Sequence, residues 1–199
     1  MTKKKIALYT LGGIALLFAI AAAWMLGPAL LPPKPIEVGI EVGAQAPLEM
    51  ELKDREGAPA SLASSMGEKG MVLVLVRSAD WCPFCKAQMV RTQKIHPAVK
   101  ERGYNLASLS YDPPEILAEF AANEQIDYIM LSDQNSSMID ALGLRDPQYA
   151  EGSFAFGVPR ATILILGKDG MVQAKYVAAD YRSRPSNDDV LAMLDSTLR

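Results

Sequence analysis

The sequence predicts an α/β sandwich, a central β-sheet flanked by helices, behind an N-terminal transmembrane helix. Three observations carry this expectation. Strand-like and helix-like segments alternate through most of the chain, then give way to a hairpin and a closing helix, an order that suits an α/β layer architecture. A short apolar run rich in β-branched residues, Met71 to Val76, reads as a strand buried on both faces and hands over directly to a helical pattern. Ile6 to Leu31 carries no charged residue. Up to Leu26, before the Gly27-Pro28 break, that segment would make a helix of about 31 Å, enough for the hydrocarbon core of a bilayer.

The chain has 199 residues and a net charge of −3. One catalytic domain is the natural count for that length. Without Lys3, Lys4 and Lys5 the remainder holds 17 basic and 23 acidic side chains, net −6, so nothing favours nucleic acid as a partner. The division expected is a basic tip and membrane anchor over 1–31, a Pro-rich linker over 32–39 and a catalytic domain over 40–199. A cleaved signal peptide is the rival for the first segment, because Ala21-Ala22-Ala23 could serve a peptidase. The apolar stretch is longer than a usual signal core, which favours an uncleaved, single-pass anchor. The lysines place its N-terminal end in the cytoplasm and the domain outside.

In chain order, Leu48 to Leu52 alternates as a strand and Asp54 to Gly57 turns. Ser61 to Met66 suits a helical turn. The buried strand follows, and the helix after it should stop or kink at His96-Pro97, since a proline disfavours helix in the residue before it. Tyr104 to Tyr111 is the next strand. Asp112-Pro-Pro-Glu115 has the form of a capping box opening a helix. Tyr128 to Leu131 is a strand, and Ser136 or Ser137 caps a short helix that Gly143 ends. Residues 146–157 form a polar loop with aromatics, a candidate lid. Ala161 to Leu166 and Met171 to Val177 flank Gly167-Lys-Asp-Gly170 as a hairpin. Ser186 to Asp189 caps the last helix.

The only two cysteines, Cys82 and Cys85, sit where the buried strand hands over to its helix. Pro83 fits the first helical turn, where its missing N–H goes unnoticed. Free backbone N–H groups and the positive end of the helix dipole meet there and stabilise a thiolate. The spacing therefore reads as a redox-active Cys82–Cys85 disulfide, with Cys82 attacking and Cys85 resolving. Pro83 and Phe84 offer neither charge nor side-chain hydrogen bond between the sulfurs, so a moderate thiolate shift is expected. As a structural staple so small a loop would stabilise by only about 2 kcal/mol. As a zinc site it lacks ligands, because His96 is the one histidine. No metal or cofactor is called for.

Trp81-Cys-Pro-Phe-Cys85-Lys after an apolar strand resembles the active site of the thioredoxin-fold superfamily. The flanks Val42 to Pro47, Lys53 to Gly57, Ser110 to Pro113, Leu131 to Asp133 and Val158-Pro159 resemble its redoxin branch, the peroxiredoxin-like proteins of alkyl hydroperoxide reductase and thiol-specific antioxidant type. The resemblance implies a thioredoxin-like sandwich over about 40–199 and a bacterial host, hence an inner-membrane protein with its domain in the periplasm. It implies a substrate face made by Trp81, Pro83, Phe84, Val158 and Pro159, the last through a cis peptide bond. Arg160 is either an anion-stabilising group near the thiolate or a solvated strand residue. His96 lies too far along the helix to act as a base. Two activities follow. The main expectation is a membrane-anchored, extracytoplasmic thiol–disulfide oxidoreductase, with a protein disulfide as substrate and an upstream electron donor. The alternative is a peroxiredoxin-like thiol peroxidase. Against the alternative stands Ala79, where peroxiredoxins carry Thr or Ser three residues before the reactive cysteine.

Overall fold

Alternation decides which way each side chain of the central strand points. In the computed structural model, which describes residues 34–198, β3 (Gly70–Leu75) is buried along its whole length. Val72 and Val74, with Val76 just beyond, pack on one face with Cys82, Cys85, Met89, Leu117 and Val190. Met71, Leu73 and Leu75 pack on the other with Leu62, Met138, Ile139 and Leu164. Each fully buried side chain of this kind is worth roughly 1.5–3 kcal/mol, so both faces hold the strand in register.

Around it lie β1 (Leu52–Asp54), β2 (Pro59–Ala60), β4 (Tyr104–Ser110), β5 (Ile129–Ser132), β6 (Thr162–Gly167) and β7 (Val172–Val177), in the order β2-β1-β5-β4-β3-β6-β7. The β3–β4 and β4–β5 pairs are parallel, and β6 runs antiparallel to both β3 and β7. Among the described residues six helices accompany the sheet: α1 (Leu62–Ser65), α2 (Pro83–Gln93), α3 (His96–Glu101), α4 (Pro114–Glu124), α5 (Ser137–Ala141) and α6 (Asn187–Ser196). This is the thioredoxin-like α/β sandwich with a mixed sheet. Gly70 admits the β3–β6 pairing, since at φ +153° a Cβ there would fall 2.0 Å from the Leu166 carbonyl oxygen.

Several local expectations change. The strand over 48–52 begins only at Leu52, because the Leu48 carbonyl is taken up by the Ala63 N–H at the start of α1. The break expected at His96-Pro97 does occur: the helix of the cysteines ends at Gln93 and a separate α3 starts at His96. Pro97 explains the position, since its ring would clash with the carbonyl four residues back, at Gln93. Asp112 does not cap α4. Pro113 stands at the cap with no side-chain bond, and the Asp112 carboxylate turns inward. Ser136 precedes α5 in a left-handed conformation and makes no cap bond. Asp133 accepts from the Ile139 N–H instead, at 2.9 Å. The hairpin and the Ser186–Asp189 capping box form as expected.

The transmembrane helix expected within 6–31 lies outside the described residues. Among the described residues no helix is long and apolar enough to cross a membrane. Within the stretch assigned to the linker, the Ile36 N–H donates to the Val177 carbonyl at 3.0 Å.

Candidate active site

Cys82 is the N-cap residue of α2, with Pro83 in the first turn. Its carbonyl accepts from the Lys86 N–H at 3.0 Å, and its Sγ accepts from the Cys85 N–H at 3.3 Å. Cys85, Gln88, Met89 and Thr92 form the buried stripe of the helix, at the i, i+3, i+4, i+7 spacing that turns one face inward. Cys82 and Cys85 are joined as a disulfide, with Cα atoms 5.3 Å apart. Both are buried: the residues expose 2% and 0% of their surface. The attacking sulfur is thus covered along with the resolving one.

The turn before the helix hangs on Asp112. Its carboxylate accepts from the Ser78 hydroxyl at 2.8 Å, the Ala79 N–H at 2.6 Å and the Ser110 hydroxyl at 2.9 Å. The Ser78 oxygen in turn accepts from the N–H groups of Asp80 and Trp81. Burial pushes the Asp112 carboxyl pKa up, and the three hydrogen bonds pull against it. The Ser78 proton is thus committed to Asp112, and the Ala79 position supplies no hydroxyl.

Above the disulfide the end of β3 delivers Arg77, a buried arginine at 3% exposure. Its guanidinium lies 5.1 Å from the Trp81 ring centre, 4.9 Å from Tyr149 and 4.8 Å from Tyr181, all within cation–π range. It also donates to the Tyr149 hydroxyl. The Trp81 indole N–H donates to Tyr111 Oη at 3.0 Å, and its ring meets Phe154 edge-on at 5.3 Å. Phe84 does the same with Tyr181 at 5.6 Å. Phe154 of the 146–157 loop therefore packs against Trp81, where a lid was expected.

Arg184 completes the surroundings. Its Nη2 stands 3.6 Å from Cys85 Sγ, and burial pushes its pKa down to about 10, helped by the charge of Arg77. The Nε atoms of Arg77, Arg91 and Arg184 are buried without a hydrogen-bond partner. Neither Arg77 nor Arg184 is evident from local motif reading. The signals are an arginine directly after a buried strand and the run Arg182-Ser-Arg-Pro185.

The other expected residues fall less close. Arg160 lines a cleft of about 400 Å³ with Arg77, Asp146 and Tyr181, and neither cysteine is among its walls. Pro159 follows a trans peptide bond, correcting the cis expectation. Its neighbours explain the extended form: the Val158 carbonyl accepts from the Asp146 N–H, and the Arg160 N–H donates to Leu144. Val158 is buried in the core. His96 pairs with Asp127 at 2.8 Å, away from the sulfurs.

A sandwich of this topology with a dithiol at the start of its first long helix defines a class of redox protein, and the family model of AhpC/TSA proteins matches residues 42–175. The chain belongs to that family. Among its relatives, peroxiredoxin Bcp of Escherichia coli K12 is 26% identical over 155 residues, covering 78% of this chain and 96% of that protein. Chloroplastic peroxiredoxin Q of Gentiana triflora is 27% identical, covering 85% and 76% respectively. Among solved structures, peroxidoxin BcpB of Mycobacterium tuberculosis superposes with a TM-score of 0.63 at 22% identity over 82% of this chain and 97% of that one. Peroxiredoxin Q of Xanthomonas campestris gives 0.67 at 18% identity over 81% and 99%.

These relatives overturn the main sequence expectation of a thiol–disulfide oxidoreductase. They are named peroxiredoxins, and the alternative fits them better. The physical reason lies in access. Exchange with a protein disulfide needs an attacking sulfur that a bulky partner can reach, whereas Cys82 is buried.

Proposed function

We propose that the chain is a thiol peroxidase that reduces small hydroperoxides, with Cys82 as the peroxidatic and Cys85 as the resolving residue. Family membership supports oxidoreductase chemistry of the antioxidant kind, and one observation carries the finer reading. The two sulfurs are close enough to join at the start of a helix, and both are buried, so a small oxidant can approach them more readily than a folded protein.

The Cys82 thiolate attacks the distal oxygen of ROOH, the O–O bond breaks, and RO⁻ leaves to be protonated as ROH. Cys82 is then a sulfenic acid. Cys85 Sγ attacks the Cys82 sulfur, hydroxide leaves and takes up a proton as water, and the disulfide closes. An external dithiol reduces it again by two exchanges. Helix-end N–H groups and the dipole of α2 favour the Cys82 thiolate.

The test is stopped-flow mixing of the reduced full chain with hydrogen peroxide and with an alkyl hydroperoxide. A Cys85→Ser chain is expected to accumulate a sulfenic acid on Cys82 that dimedone traps, and Cys82→Ser to yield none. Oxidation no faster than that of free cysteine at the same pH overturns the proposal.

A further inference from the structure

We propose that Arg184 is a catalytic residue of the recycling half of this cycle, holding Cys85 as a thiolate when the disulfide is reduced. The inference rests on the peroxidase reading for its place in the cycle and on separate geometry for its chemistry.

Within the four residues of the motif nothing can stabilise Cys85, since Pro83 and Phe84 carry neither charge nor a polar side chain. Cys85 is also fully buried, which on its own raises a thiol pKa and makes the sulfur a poor leaving group. The fold brings a cation to it from the far end of the chain, with Arg184 Nη2 3.6 Å from Cys85 Sγ. Nη1 of Arg184 is held by the Ser183 carbonyl at 3.3 Å, and Nε has no partner in its buried position.

The groups facing this guanidinium are mostly of the same sign or neutral. Arg77 at the end of β3 and Arg91 on α2 oppose its charge, while Tyr176 on β7 and Asp180 favour it. Asp180 is engaged elsewhere, accepting from Arg182 N–H at 2.7 Å and from the Ser183 hydroxyl at 2.9 Å. A thiolate on Cys85 is the anion missing from this cluster. In the oxidised protein the sulfur is neutral, and among the described residues the half-buried guanidinium makes no ion pair, Asp180 acting on it only at longer range. In the reduced protein one negative charge arises 3.6 Å away.

The electron balance is simple. A thiolate of the external dithiol attacks Cys82 Sγ, the Cys82–Cys85 bond breaks, and its electron pair stays on Cys85 beside Arg184. The second thiol of the reductant then attacks the mixed disulfide and frees Cys82. Disulfide exchange is faster when the leaving thiol has the lower pKa, so Arg184 accelerates the first exchange. The same thiolate is the attacking form when Cys85 condenses with the sulfenic acid.

The experiment isolates Cys85 in a Cys82→Ser chain and follows thiolate absorbance near 240 nm against pH, with and without Arg184→Met. Removing the arginine is expected to raise the Cys85 midpoint by about one pH unit, the tenfold loss that goes with one charge-assisted hydrogen bond. Reduction of the oxidised Arg184→Met chain by dithiothreitol is expected to slow about tenfold on the same ground. Arg184→Lys, which keeps charge and loses the planar fork, should recover part of both effects. Should Arg184→Met fail to fold, Arg184→Gln carries the same two measurements. A Cys85 titration or a reduction rate that does not move overturns the inference. Neither measurement contains peroxide, so failure of the peroxidase reading would show separately, in slow formation of sulfenic acid.

Discussion

At the scale of single residues, the site departs from its family at Ala79. Peroxide cleavage depends on donors aimed at the charge that develops on the breaking O–O bond, and losing one such donor costs on the order of a hundredfold in rate. Ser78 cannot take over, because its hydroxyl donates to Asp112 at 2.8 Å. Ala79→Ser is therefore expected to raise the rate of Cys82 oxidation by hydrogen peroxide, read by stopped-flow. An unchanged rate in a folded variant would show that the missing hydroxyl is not limiting. Asp112 offers a pH test. Burial raises its pKa in the folded protein above the ordinary 3.8, so over that interval the folded state binds the proton more tightly than the unfolded chain. Its contribution to stability is then fully present below the unfolded pKa and lost as pH rises through the folded value. Urea unfolding of the wild type and Asp112→Asn from pH 7 down to pH 4 should show the wild type gaining on the variant as pH falls. Parallel curves would mean that the carboxyl titrates normally.

At the scale of elements, what was legible in the sequence was what local physics decides. The run from Met71 to Val76 reads as a strand buried on both faces and Gly167 to Gly170 as a hairpin turn, and both form. Where two local partners competed, tertiary structure chose. Asp112 has the spacing of a capping residue, yet three donors from Ser78, Ala79 and Ser110 converge on it, and together they outbid one N–H at a helix end. Ser186, with no such competitor, caps α6 as expected: its hydroxyl oxygen accepts from the Asp189 N–H at 3.1 Å. Ser186→Ala should lower stability by about 1 kcal/mol, measured by urea unfolding. The segment that carries Arg184 runs into this cap two residues later. The variant should therefore slow reduction of the disulfide by dithiothreitol as well, and a stability loss with no change in that rate would separate the cap from the arginine.

At the scale of the whole molecule, the half of the site that was hidden comes from sequence distance. Arg184 lies 99 residues from Cys85, beyond the reach of any spacing rule, and Arg77 owes its aromatic cage to Tyr149 and Tyr181 on two separate loops. The moderate thiolate shift expected for the pair rests on Pro83 and Phe84 alone. With Arg184 in place the two redox forms come close in stability. Closing a four-residue loop stabilises the oxidised form by only about 2 kcal/mol through chain entropy. Reduction trades this for a charge-assisted pair between the Cys85 thiolate and a guanidinium, worth about 1.5–3 kcal/mol. At about pH 9, above the ordinary thiol pKa of about 8.5 where the pair contributes fully, the reduced protein should then unfold at a temperature close to that of the oxidised protein, unlike the behaviour of a structural staple. Arg184→Met should restore the ordinary order, with the oxidised form the more stable, as read by circular dichroism with and without reductant. Acidification gives an independent check: protonating Cys85 removes the pair, so the reduced wild type should fall behind the oxidised form as pH falls through the Cys85 midpoint. If wild type and Arg184→Met show the same gap between oxidised and reduced forms, the stability of the dithiol has nothing to do with that charge.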